Sequence, residues 1–138
     1  MRTTEFNLGP KTLHLYFNGE AMFRLNDLDK DLPEESPDWV GRLLENTLEG
    51  KRTLCKAAAI LAEQGELCRR YLQYDAQRIP TEDDLQLLLT PMDILALRAA
   101  VIAAIEDGYA GKNQDQGDVD IGLLELEKKK KPTAARII

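Results

Sequence analysis

Few side chains in this 138-residue chain could carry out catalysis. It has one histidine, His14, and two cysteines, Cys55 and Cys68. A Ser-His-acid triad would need His14 together with Ser36, the single serine, which lies in a proline-flanked acidic stretch. A multi-histidine metal site or a Cys₄ or Cys₂His₂ zinc cage needs more of these residues than one chain supplies. Both cysteines fall in apolar helical patterns, where a thiol is usually a small buried hydrophobe.

Three aspartates have the spacing that opens a calcium-binding loop. Asp27, Asp29 and Asp31 occupy alternate positions, as the first three ligands of such a loop do. The sixth position should be a glycine but is Leu32, and the twelfth should be a bidentate glutamate but is Asp38. We therefore predict a solvated acidic turn and no metal site.

The remaining charged clusters also favour structural roles. Glu82, Asp83 and Asp84 are consecutive carboxylates at a predicted helix start, where they stabilise the helix dipole. Acid–base catalysis would need opposed partners in a pocket. Arg69 and Arg70 together with Arg78 are candidates for holding a phosphate, but we interpret them as a solvated helix face, because no glycine-rich phosphate loop accompanies them. The sequence thus predicts a non-enzymatic protein with no catalytic, cofactor-binding or metal-binding residues.

The overall charge argues against nucleic acid as a partner. There are 18 basic and 24 acidic residues, so the net charge is −6, whereas nucleic-acid binding needs a dense basic surface. The longest apolar stretch, residues 94–105, is interrupted by Arg98 and is too short to span a bilayer. Since the N-terminus also has no apolar leader, we expect a cytoplasmic protein with no membrane partner.

The N-terminal part is predicted to be a β-hairpin. Residues 12–17 and 20–25 both alternate in polarity around Asn18-Gly19, a strong hairpin signal. A three-residue loop at 17–19 gives one clean apolar face, with His14 and Tyr16 on the other side. That inner face would consist of Leu13, Leu15, Ala21, Phe23 and Leu25. Because a two-stranded hairpin is not stable alone, its apolar face must pack on helices.

Helical periodicity governs the chain from residue 36 to 108. The predicted helices span residues 36–50, about 51–77, 84–89 and 91–107. Ser36 followed by Pro37 marks the first start, and Gly50 and Gly108 mark ends. The motifs at 81–84 and 90–93 are further cap signals. The predicted fold is mainly α (α+β): a short N-terminal hairpin packed on a bundle of about four helices, in a single domain 1–110.

Residues 111–138 are predicted to be a flexible linker and tail. A polar, glycine-containing stretch leads to a short apolar-acidic patch, and four lysines follow at 128–131. The patch comes after a linker and is too short to fold alone, so we interpret it as a partner-docking segment. Its apolar residues are Val119, Ile121, Leu123, Leu124 and Leu126.

This layout resembles the tail assembly chaperones of long-tailed bacteriophages and prophages. The resemblance covers most of residues 12–108 and consists of the opening stretch 13–26, GKRTL at 50–54, TEDD at 81–84, LTPMDI at 89–94, and an alanine-rich helix closing at Asp107-Gly108. It implies a non-enzymatic protein of the bacterial host's cytoplasm, which coats the tape measure protein, keeps it soluble and then hands over to the tail tube protein. It also implies a longer product made by a ribosomal frameshift, for which the four-lysine run offers a slippery sequence.

A second class of function fits the same residues. A small cytoplasmic adaptor or inhibitor domain would bind one globular protein one-to-one, whereas a chaperone of a long helix would bind at many copies per partner. Either protein could form a homo-oligomer.

Overall fold

A computed structural model describes residues 2–30 and 38–111. Two antiparallel strands, β1 (Thr4–Leu8) and β2 (Lys11–Leu15), come first. The helices α1 (Gly19–Asp27), α2 (Trp39–Leu44), α3 (Leu48–Tyr71), α4 (Glu82–Leu88) and α5 (Pro91–Tyr109) follow. The predicted fold class is confirmed: the described residues are mainly helical, with an N-terminal hairpin packed on the helices.

The hairpin lies earlier in the chain than its prediction. Its turn is Gly9-Pro10, and Gly9 has a φ of +62°, a conformation that glycine adopts without strain. Phe6 pairs with Leu13, and the alternation of both strands gives the sheet one buried face. That face consists of Phe6, Leu8, Leu13 and Leu15. The prediction that Leu13 and Leu15 face the core is therefore confirmed.

The predicted second strand, residues 20–25, is wrong, because this segment is helix α1. Asn18 caps that helix, since its side-chain oxygen accepts a hydrogen bond of 2.8 Å from the Ala21 amide. Ala21 and Leu25 are buried as predicted, because residues four apart share a helix face. Phe23 was placed on the same inner face, but it lies on the other side of α1 and is 62% exposed.

Helix α3 is the element on which the others pack. It contacts β2, α1, α2, α4 and α5. Most of the residues that it buries are small: Gly50, Thr53, Cys55, Ala57, Ala58, Ala62 and Gly65. Small side chains let neighbouring elements come close to the helix axis, so one long helix can hold several partners.

The boundaries of α3 differ from those predicted. The helix starts at Leu48, because Thr47 caps it by accepting a 2.9 Å hydrogen bond from the Gly50 amide. Gly50 was predicted to end the preceding helix, but it lies in the first turn of α3. A Cβ there would overlap the Glu45 carbonyl oxygen, so the glycine is needed for packing against the end of α2. The helix ends at Tyr71 rather than at residue 77.

Gly65 allows β2 and α3 to approach each other closely. A Cβ at this position would overlap the carbonyl oxygen of His14, so only glycine allows the backbone of β2 to lie on α3. Beside this contact, the Tyr16 amide donates a 3.1 Å hydrogen bond to the Leu61 carbonyl oxygen. The glycine inside α3 is therefore explained by this contact.

The other helix starts largely follow the predicted caps. Thr81 and Asp84 form a capping box at α4, and Thr90 and Asp93 form another at α5. Helix α2 begins after Asp38, which serves as its N-cap, while residues 36 and 37 lie outside the described part of the chain. None of the helices described is both long enough and apolar enough to cross a membrane.

The contact at Gly65 can be tested by a matched pair of substitutions. Gly65→Ala is expected to lower the free energy of unfolding by about 2 kcal/mol or more, because the methyl group displaces the backbone of β2. Gly19→Ala is the control, since nothing lies within 4 Å of its Cβ position. It should leave stability unchanged or raise it by up to about 1 kcal/mol. Urea unfolding measures both, and equal effects would contradict the packing role of Gly65.

Candidate functional site

Helix α5 is apolar on all sides but is covered on only one. Between Ile94 and Ile105 its single charged residue is Arg98. A helix of this composition is normally buried all round. Here Leu97 and Val101 are buried on the side that packs against α3 and the hairpin. The opposite side of α5 has no covering element among the described residues.

The uncovered side of the helix forms a continuous apolar stripe. Met92 and Leu95 are 76% and 60% exposed, and Ala96 and Ala99 are exposed as well. Residues three and four apart are neighbours on a helix surface, so these four side chains lie together. We call this set Met92, Leu95, Ala96 and Ala99 the α5 face. Its width and composition are those of a surface that receives another apolar element.

A groove between α2 and α5 adjoins the α5 face. Ile102 lines the groove and lies seven residues, about two turns, after Leu95, so both are on nearly the same side of α5. The groove has a volume of about 240 Å³. We call it the α2–α5 groove, and its lining residues are Trp39, Val40, Leu43, Leu44, Ile102, Ile105, Glu106 and Tyr109. Glu106 is the single charged residue of this lining.

Arg98 joins α2 to α5. Its Nε donates a 3.1 Å hydrogen bond to the Leu43 carbonyl oxygen, and a terminal nitrogen donates one of 3.4 Å to the carbonyl oxygen of Glu45. The last carbonyls of a helix have no partner within the helix, so Arg98 supplies one for this end of α2. The single charge in the apolar centre of α5 therefore fixes one wall of the groove.

Three further polar contacts hold α2 in place. Arg42 is buried, and its Nε donates a 3.2 Å hydrogen bond to Thr53 of α3, while its guanidinium lies 3.4 Å from the Asp29 carboxylate. The indole nitrogen of Trp39 donates a 2.9 Å hydrogen bond to Asn26. A six-residue helix has little stability of its own, so these contacts and the burial of its apolar side position it.

The arginines considered for phosphate binding are engaged elsewhere. Arg69 and Arg70 both donate to the buried carboxylate of Glu66, at 2.6 Å and 3.1 Å. The Gln77 amide donates a third hydrogen bond to Glu66, at 2.6 Å. The predicted solvated arginine face holds for Arg70, which is exposed, but Arg69 is largely buried, and both side chains belong to a cluster that fastens the loop after α3. Arg78 lies 3.4 Å from Asp84.

The Glu66 carboxyl is held in its charged form. Burial raises its pKa, but the hydrogen bonds from the Gln77 amide and from Arg69 and Arg70 outweigh this effect. The pKa of Glu66 therefore lies below its ordinary value. A carboxyl in this state accepts hydrogen bonds and is unsuited to donate a proton near neutral pH.

Burial shifts the pKa values of the histidine and of both cysteines. Burial and the nearby Arg69 lower the pKa of His14, which lies 3.8 Å from Glu5 on the outer face of the hairpin. Burial raises the pKa of both thiols, Cys55 and Cys68, and so favours their neutral form.

Of the three aspartates considered for calcium, the two that the structure describes pair with basic side chains. Asp27 pairs with Lys30 at 3.4 Å, Asp29 pairs with Arg42, and Asp31 is outside the described residues. Over residues 2–30 and 38–111, no three histidine, cysteine or acidic side chains are grouped to hold a metal ion.

The sequence-predicted docking residues lie outside the described part of the chain. They are Val119, Ile121, Leu123, Leu124 and Leu126. Their assignment to a partner stays a prediction. The α5 face was not predicted from the sequence, which assigned residues 91–107 only to a helix. The available signal was the composition of α5, which has no polar side to turn towards solvent.

Comparisons with protein-family models, with curated proteins and with solved structures give no match to this chain. The candidate site therefore depends on the geometry of α2 and α5.

The Glu66 cluster predicts a pH-dependent contribution to stability. Glu66→Gln should lower the free energy of unfolding by about 1–3 kcal/mol at pH 7, because Arg69 loses a charged partner in a buried setting. Since the folded-state pKa is below the ordinary value of 4.5, the wild-type advantage is complete above that pH. It should disappear as the pH falls through the folded-state pKa.

Urea unfolding at several pH values between 3 and 7 checks this dependence. Glu63→Gln, on the same helix, is the control, because Glu63 pairs with Arg24 near the surface. Its effect should stay below about 1 kcal/mol. A stability difference for Glu66→Gln that is the same at pH 3 and pH 7 would contradict the charged cluster.

Proposed function

We propose that this protein is a non-enzymatic tail assembly chaperone of a long-tailed bacteriophage or prophage. In this proposal it works in the cytoplasm of the bacterial host, binds helical segments of the tape measure protein and keeps that protein soluble. The observation that carries the proposal is the α5 face, an apolar helix surface left open on a chain with net charge −6. The resemblance in layout supplies the identity of the partner.

The composition of the α5 face suits a helical partner. Ala96 and Ala99 are small and allow the axis of a second helix to come close, while Met92 and Leu95 provide apolar area at its edge. An amphipathic helix is recognised through side chains at positions i, i+3, i+4 and i+7, which form a stripe of matching length. Methionine adapts to different neighbours, so one face can accept many segments of a long chain.

The small size of the face suits reversible coating. Five helical turns at most are available on α5, and a contact of that length buries less area than a standard stable interface. Many copies, each holding one segment, would keep a long helix soluble and still exchange. In the proposed handover, the tail tube protein is recruited through another surface, since the tape measure protein covers the α5 face.

A coexpression experiment tests the proposal. The probe is the tape measure protein encoded in the same genome, produced in bacteria with and without the chain. Wild type should move the tape measure protein from the pellet to the soluble fraction. Leu95→Glu should weaken its capture about tenfold or more, because a buried leucine contact of roughly 1.5–3 kcal/mol is replaced by a charge that must be desolvated.

The control is Phe23→Glu, the same kind of change at an exposed position of α1. It should capture as wild type does, and both variants should unfold at the wild-type urea concentration. Light scattering on the purified complex gives the stoichiometry. Several copies per tape measure protein support the chaperone, and a one-to-one complex supports the adaptor instead. Equal capture by Leu95→Glu and wild type would exclude the α5 face as the binding surface.

A further inference from the structure

The α2–α5 groove is an apolar surface whose side chains are partly exposed to solvent. Val40 and Leu44 of α2 are about half exposed, and Tyr109 of α5 is exposed by more than half. Their neighbours in the groove wall are also apolar, apart from Glu106. A contiguous apolar surface of this kind on a soluble chain usually marks a binding site.

The chain's own C-terminal segment is within reach of the groove. Tyr109 lines the groove, and Gly111, two residues later, is the last residue that the structure describes. Val119 follows eight residues after Gly111, which allows a span of roughly 26 Å at about 3.3 Å per residue. The α5 wall of the groove, Ile102 to Tyr109, is about 10 Å long at 1.5 Å per residue. The linker is therefore long enough for the apolar residues after it to fold back onto the groove.

The chemistry of this segment matches the groove. Five of the eight residues 119–126 are apolar, and the four lysines at 128–131 follow after Glu127. The groove is apolar inside, and acidic residues lie around it: Glu106 in its wall, Asp38 at the start of α2 and Glu45 at its end. Opposite charges placed beside an apolar contact strengthen binding and fix its direction.

The two arginines near the groove do not neutralise the acidic residues around it. Arg98 donates to the carbonyl oxygens at the end of α2, and Arg42 is buried beneath that helix. Glu125 and Glu127 of the segment alternate with its last leucines, so an extended segment would direct them away from the groove. The lysines 128–131 are therefore the basic groups that would pair with the acidic residues around the groove.

We propose that the C-terminal segment of this chain docks in its own α2–α5 groove, with Leu124 and Leu126 as apolar anchors and the lysines 128–131 beside the acidic residues around the groove. The contact is intramolecular, and the tether makes it effective because it holds the segment at a local concentration of about millimolar. This proposal concerns the groove and does not depend on the partner assigned to the α5 face.

Amide hydrogen exchange on the full chain, without any partner, tests the docking. Exchange at residues 121–126 should be at least about tenfold slower in wild type than in the double variant Val40→Glu with Leu44→Glu. A second variant, Leu124→Asp with Leu126→Asp, should in turn speed up exchange in α2, and its substitutions lie outside the described body. Phe23→Glu is the control and should keep the slow exchange.

A second pair of variants tests the attraction between the lysines 128–131 and the acidic residues around the groove. Glu106→Lys should speed up exchange at 121–126, because it places a like charge beside the lysine run. Asp83→Lys makes the same charge change on α4, which packs on α3 and does not line the groove. It should leave the exchange of the segment as in wild type.

Two results would overturn the proposal. In the first, residues 121–126 exchange equally fast in wild type and in the groove variant. In the second, their protection increases with protein concentration, which would show that they bind a second copy. Since no tape measure protein is present, neither result bears on the proposed chaperone function. A failure of the coexpression experiment would likewise leave the docking proposal untouched.

Discussion

The backbone of β2 lies directly on α3 because residue 65 has no side chain. The Tyr16 amide reaches the Leu61 carbonyl oxygen at the same place, and this pair of contacts fixes the hairpin against the long helix. The buried faces of the sheet and of α3 then form the surface on which α5 packs through Leu97 and Val101. Since both of those elements lie on one side of α5, no element within residues 2–30 and 38–111 covers the other side.

The α2–α5 groove depends on the same packing of α5 and also on the contacts that hold α2 in place. Helix α2 has six residues and cannot hold a position without tertiary contacts. Arg98 binds its last carbonyls from α5, and Gly50 lets the same end of α2 rest on the first turn of α3. These contacts leave Val40 and Leu44 exposed beside α5. The α5 face and the α2–α5 groove therefore both arise because few of the described elements surround α5.

Local signals in the sequence predict the parts of this fold that depend on local chemistry. Thr81 and Thr90 were assigned as caps correctly, because a capping box needs only residues three positions apart. The segment 20–25 was assigned wrongly, because six residues with apolar side chains at several positions fit a strand or a helix equally well. Asn18 does not decide between them, since asparagine suits both a hairpin turn and a helix N-cap. The Gly9-Pro10 dipeptide was the missed turn signal for the true hairpin.

The candidate site depends on packing that no local pattern encodes. Leu95 and Leu97 are two residues apart on the same helix and have identical side chains, yet one is exposed and the other is fully buried. Periodicity assigns a direction only when a helix has a polar side, and α5 has none between residues 94 and 105 apart from Arg98. Which leucine faces the core is set by the tertiary contacts of α5. The helix packs on α3 and on the hairpin, which Gly65 allows to lie on α3, and its own Gly108 lies against Phe17. The exposed side of α5 is therefore decided by packing and not by the pattern of its residues.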